Sequence, residues 1–128
     1  MTIRDAQRLA WRIAEDKGFH EGRTASGRDD TLVRLCLVHT EVSEAAQEVK
    51  RHWDGKPTEE QIETFGLELA DALIRILDIA ESVGADLETL VEVKMGRNRS
   101  RPYGYGTPQE QPAQRPTFLD SLTNEGKF

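Results

Sequence analysis

Apolar positions in this chain recur at intervals of three and four residues, the spacing of one face of an α-helix. Nowhere do they alternate in the two-residue rhythm of a strand. The densest stretch, residues 61–82, reads QIETFGLELADALIRILDIAES, holds no proline and predicts a helix of about six turns. At about 100° per residue, Phe65, Ile62, Leu69, Leu73, Ile76 and Leu77 fall on one flank, and Leu67, Ala70 and Ile74 on the other. Apolar side chains thus cover roughly two thirds of the circumference, leaving a narrow strip of Thr64, Glu68, Asp71, Arg75 and Asp78. A helix apolar over so wide an arc is expected to be enclosed by others, with its strip lining a cleft or a thin band of solvent.

Three further helices are expected around it. The first covers about residues 2–17, with Thr2 as its cap, Ile3, Ala6, Leu9, Ala10 and Ile13 as its apolar stripe, and Gly18 at its end. The second starts near Asp29 or Asp30, either of which can cap it, and runs to about Trp53. Its expected buried stripe is Leu35, Val38, Val42, Ala45, Ala46 and Val49. Between the two lies GFHEGRTASGRDD, with three of the ten glycines, a loop suited to a connector or to a lid. Asp54-Gly55-Lys56-Pro57 is a turn, and Thr58 with Gln61 three residues on is a capping box opening the central helix, which Val83-Gly84 ends. Asp86 can cap a fourth helix through Leu87, Leu90, Val91 and Met95, fading near Asn98. Four of the five prolines then fall between residues 101 and 116, so residues 101–128 are expected to form an extended arm or disordered tail behind an all-α domain of residues 1–100.

Composition narrows the function classes. A chain of 128 residues suits one domain with a modest core. Twenty-three acidic against 17 basic residues give a net charge of −6, which argues against nucleic acid polymers and acidic membranes as partners. No apolar run reaches the length of a membrane span, and the polar N-terminus is not a signal peptide. Cys36 stands alone, which excludes an intrachain disulfide and suits a reducing cytoplasm.

Glu41 and Glu44, with Glu48 a turn further, form a row beside the apolar stripe of the second helix rather than opposite it. Glu68 and Asp71 repeat the spacing on the central helix. Two helices joined by a short turn can set these pairs face to face. Four carboxylates at the edge of a core repel one another unless they are protonated or neutralised, and Arg75 is the main cation that sequence places nearby. A bound divalent cation resolves the repulsion. Neither pair is an E-x-x-H of the di-iron bundles, and no Cys/His spacing suggests zinc. All-oxygen ligation points to Mg²⁺ or Mn²⁺, and Mg²⁺ commonly completes its shell with substrate phosphates. Four cations (Lys94, Arg97, Arg99 and Arg101) then fall within eight residues. That is more than a helix dipole needs, and with Asn98 one turn from Lys94 it suits a polyphosphate clamp.

The ordered set Glu41-Val42-Ser43-Glu44-Ala45, Glu68-Leu69-Ala70-Asp71-Ala72-Leu73-Ile74 and residues 94–103, with Lys17-Gly18-Phe19 after the first helix, resembles the MazG-like all-α nucleoside triphosphate pyrophosphohydrolases over roughly residues 3–106. The resemblance implies a four-helix MazG-like bundle completed by oligomerisation, as a homodimer or homotetramer. It also implies a Mg²⁺-dependent enzyme, with two or three ions per site, that splits the α–β bond of a (deoxy)nucleoside triphosphate into monophosphate and pyrophosphate. By that resemblance Glu41, Glu44, Glu68 and Asp71 are metal ligands, and Lys94, Asn98 and Arg101 contact phosphate. A purine dNTP such as dGTP is the substrate it suggests.

The expected chemistry is in-line attack of water, with Glu44 or Glu41 as the catalytic base and no nucleophilic side chain. Phe19, His20 and Trp53, with Trp11, are the residues able to stack on or hydrogen-bond a nucleobase. Cys36 and His39 face away from the acidic row and are read as structural. Two rivals stand against this enzyme. One is a carboxylate-bridged redox bundle, disfavoured by the missing E-x-x-H pairs. The other is a non-catalytic all-α oligomeric adaptor with solvated acids and a partner-binding tail.

Overall fold

The computed structural model describes residues 1–24, 26–102 and 104. These residues hold four α-helices and no strand: α1 (Ile3–Asp16), α2 (Arg28–His52), α3 (Glu59–Val83) and α4 (Leu87–Arg99). None is long and apolar enough to cross a membrane. The chain divides into two compact units, Met1–Leu87 and Glu88–Phe128. Most of the expected C-terminal arm, from Tyr105 onward and with Tyr103, lies outside the described residues.

In the first unit α3 packs against both α1 and α2. Local chemistry sets its limits. Thr58 Oγ1 accepts from Gln61 N at 3.2 Å while Gln61 Oε1 accepts from Thr58 N at 2.9 Å, a reciprocal box that satisfies two donors of the first turn. At the other end Gly84 takes φ 76°, the left-handed conformation that only glycine adopts without a Cβ penalty. The Thr2–Asp5 pair starts α1 in the same reciprocal way, and Gly18 at φ 73° turns the chain away after it. For α2 the expected cap differs. Gly27 occupies the N-cap without a side-chain bond, and Asp29 and Asp30 lie inside the first turn, where their charge faces the positive end of the helix.

The apolar stripes do not bury as expected. On α1 the buried residues are Gln7, Ala10 and Ala14, while Ile3, Leu9 and Ile13 are exposed. On α2 they are Arg34, Glu41 and Ala45, while Leu35, Val42 and Ala46 lie outside. Nor is α3 enclosed among the described residues: it buries Ala72, Leu77, Ile79 and Ala80 and exposes Ile62, Leu67, Leu69, Leu73, Ile74 and Ile76. Among the described residues no large side chain is fully buried. Five of the seven buried apolar residues are alanines, because small side chains let helix axes approach where larger ones must point aside. Gln7 shows how a polar residue is carried in such a seam. Its amide donates to Glu81 Oε2 at 2.7 Å and to the Ala85 carbonyl at 2.8 Å, and its carbonyl accepts from Leu87 N at 3.2 Å. Each polar atom of the side chain is thereby satisfied, which removes the penalty of burying it.

Candidate metal centre and adjoining cavity

Glu41 and Glu44 stand three apart on α2, as do Glu68 and Asp71 on α3, so each pair shares a helix face. Packing α2 on α3 brings one carboxylate oxygen from each of Glu41, Glu44 and Glu68 within 4.8 Å of the others. Glu41 is buried, Glu68 half-buried and Glu44 exposed. Asp71 is not part of that group of three; it is exposed and lines the adjoining cavity with Glu41.

The cluster carries excess negative charge. The Glu68 carboxyl is held above the usual glutamate range by its partial loss of solvent, then by the charge of Glu44 and a hydrogen bond with it, then by Asp71 and Glu41. Two carboxylates can share a hydrogen bond only with a proton between them. One cation answers the cluster directly: Arg75 Nε donates to Glu41 Oε1 at 2.6 Å. The donor set is anionic and all oxygen, matching a hard cation such as Mg²⁺ or Mn²⁺ rather than zinc. Oxygens across a Mg²⁺ ion stand about 4.2 Å apart. A span of 4.8 Å is within side-chain adjustment of that distance.

Beside the acids opens a cavity of about 370 Å³. The volume lies in the range of roughly 300–1,000 Å³ typical of small-molecule pockets. Its apolar wall includes Ile13, Phe19, Leu37 and Ile74, and three members of the α3 polar strip, Asp71, Arg75 and Asp78, reach into it. Asp78 anchors a second polar group. Its Oδ2 accepts from Arg34 Nη2 at 2.7 Å, and its Oδ1 lies 2.9 Å from His20 Nε2. His20 Nδ1 in turn lies 2.6 Å from Glu15 Oε2. Which of the two ring nitrogens donates depends on the tautomer. Arg34 also lies 3.9 Å from Asp30, so this group joins α1, the following turn, α2 and α3.

The sequence-derived site residues distribute as follows. Phe19 and His20 share the cavity with Glu41 and Asp71. Trp11 stacks obliquely on His20, ring centres 5.4 Å apart. Trp53 is not among the lining residues; it caps the C-terminus of α2 and packs edge-on against Phe65 at 5.2 Å. Lys94 and Asn98 are exposed on α4, and Arg101 is exposed in the turn after it, its N–H donating to the Asn98 carbonyl at 3.2 Å. Cys36 and His39 are exposed on α2 and take no place in the cluster or the cavity.

Sequence reasoning missed Arg34 and its link to Asp78. The available signal was an arginine seven residues before Glu41, two helical turns back on the same face. The chain matches no protein-family model, no curated protein and no solved structure.

Proposed function

We propose that the protein is a Mg²⁺-dependent nucleoside triphosphate pyrophosphohydrolase of the MazG-like kind, acting on a (deoxy)nucleoside triphosphate, with a purine dNTP such as dGTP as the first candidate. The single observation that carries the reading is the convergence of Glu41, Glu44 and Glu68 at the edge of a cavity that also holds Asp71, Phe19 and His20. Glu41, Glu44, Glu68 and Asp71 hold the metal. Magnesium, when bound, supplies positive charge for the triphosphate and acidifies a water molecule. Glu44, exposed at the edge of the cluster, takes the proton from the attacking water, whereas the buried Glu41 serves as a metal ligand. Phe19 stacks on the base, and the ring of His20 closes the same wall. The resemblance assigns phosphate contact to Lys94, Asn98 and Arg101.

Exposed leucines and isoleucines along α3, with Leu32, Leu35 and Val42 on α2, support assembly into a homodimer or homotetramer. The lone Cys36 supports a cytoplasmic site of action.

The test is pyrophosphate release from the four NTPs and four dNTPs, with and without Mg²⁺, for the wild type and Glu44→Gln. The expected outcome is Mg²⁺-dependent release from at least one substrate, reduced in the variant by at least the roughly 10–100-fold that loss of a supporting group alone costs a metal site. Equal inertness of both proteins on all eight substrates rejects the enzyme and leaves the adaptor.

A further inference from the structure

The deepest acid of the cluster already has a cation against it. Arg75 Nε sits 2.6 Å from Glu41 Oε1, where the glutamate side chain is 10 % exposed and the arginine 43 %. Among the described residues this is the only ion pair Arg75 makes. Arg34, one of two further arginines lining the cavity with Arg23, is placed differently: it is 7 % exposed and lies between Asp78 and Asp30. Arg34 is locked at both flanks; Arg75 is tethered by one nitrogen and half in solvent. Arg75 follows Asp71 by one turn of α3, and Arg75, Asp71 and Glu41 line one cavity.

Two consequences follow from charge. The Glu41 oxygen that accepts a charge-assisted bond from a guanidinium is not fully available to a dication, and the two cations repel when both crowd it. A guanidinium engaged through Nε keeps its two terminal nitrogens, whose paired N–H groups match the oxygens of a phosphate.

We propose that Arg75 is an exchangeable counter-ion: it neutralises Glu41 in the metal-free protein and, once a divalent cation holds that carboxylate, turns its guanidinium to a phosphate group in the cavity. The inference rests on the metal-dependent phosphate chemistry proposed above, and it assigns to Arg75 a ligand that the sequence reading did not. It makes metal and phosphate binding cooperative, because the residue that weakens the first strengthens the second.

The test uses the full-length chain as wild type, Arg75→Gln and Arg75→Lys. Calorimetry measures Mg²⁺ alone, then pyrophosphate at saturating Mg²⁺. Removing one positive charge beside a dication is expected to tighten Mg²⁺ about tenfold in Arg75→Gln. The same variant binds pyrophosphate more weakly than wild type. Arg75→Lys, which keeps the charge but loses the fork, retains wild-type Mg²⁺ affinity and also loses pyrophosphate affinity. Should the glutamine variant fail to fold, the lysine variant carries the test, since unchanged pyrophosphate affinity in it overturns the proposal. Wild type that binds Mg²⁺ while Arg75→Gln binds it equally or more weakly refutes the counter-ion role and leaves the metal site standing. No Mg²⁺ binding by wild type or by a folded variant refutes both.

Discussion

Asp78 and Glu68 lie ten residues apart on one face of α3, about 15 Å along its axis, and they meet opposite treatment. Asp78 receives a guanidinium from α2 at 2.7 Å and an imidazole nitrogen at 2.9 Å. Glu68 receives Glu44 and Glu41, two more acids, and is forced toward its protonated form. Matched charge at Asp78 ties α1, α2 and α3 together, which is what a structural network does. Mismatched charge at Glu68 is expected to oppose folding when the acids are ionised, and a bound cation would relieve it. The same helix thus carries a finished electrostatic contact and an unfinished one.

Three experiments sharpen or break this contrast. The largest effect is expected at the paired end. Arg34→Met leaves the largely enclosed Asp78 with its main cation gone, and breaking a pair whose arginine is buried costs about 3 kcal/mol, more than a hundredfold in the folding equilibrium. Urea unfolding measures it, and a loss no larger than that of a surface pair contradicts the structural role. Next is the loss of pyrophosphate release in Glu44→Gln, at the unpaired end, where chemistry rather than stability should suffer.

The smallest effect carries the opposite sign. Because the Glu68 carboxyl is raised above its ordinary value, its contribution to stability is fully present below the unfolded-state value and is lost as pH rises through the folded one. Glu68→Gln imitates the protonated form, so the metal-free variant should be more stable than wild type at neutral pH, with the gap closing as pH falls. Unfolding midpoints across about pH 4–8 without metal test this. A variant less stable than wild type at neutral pH would show that the ionised cluster is not strained.

Much of the fold was legible because its signals are local. Thr58 with Gln61, Thr2, Gly18 and Gly84 act within a few residues of themselves, and each marked a real boundary. The two acidic pairs were visible for the same reason, since i, i+3 spacing fixes a shared helix face. The buried faces were not legible. Hydropathy ranks Leu35 and Val42 above Arg34 and Glu41, yet the latter pair lies inside, because α2 turns its small and paired residues toward α3. What rescues Arg34 is Asp78, forty-four residues away, and what rescues Gln7 is Glu81 with the Ala85 carbonyl. Partnerships across such separations follow from packing and leave no trace in a single helix wheel. Large apolar residues on α3 lie at the surface among the described residues of the single chain, where enclosure by other helices was expected.

Whether the crowded acids form a cation site serving the cavity is decided by calorimetry of the wild-type chain with a nonhydrolysable dNTP. Saturable nucleotide binding in Mg²⁺ is expected, disappearing when a chelator removes the metal and lost in Glu44→Gln. Nucleotide binding of equal strength with and without Mg²⁺, or none under either condition, contradicts it.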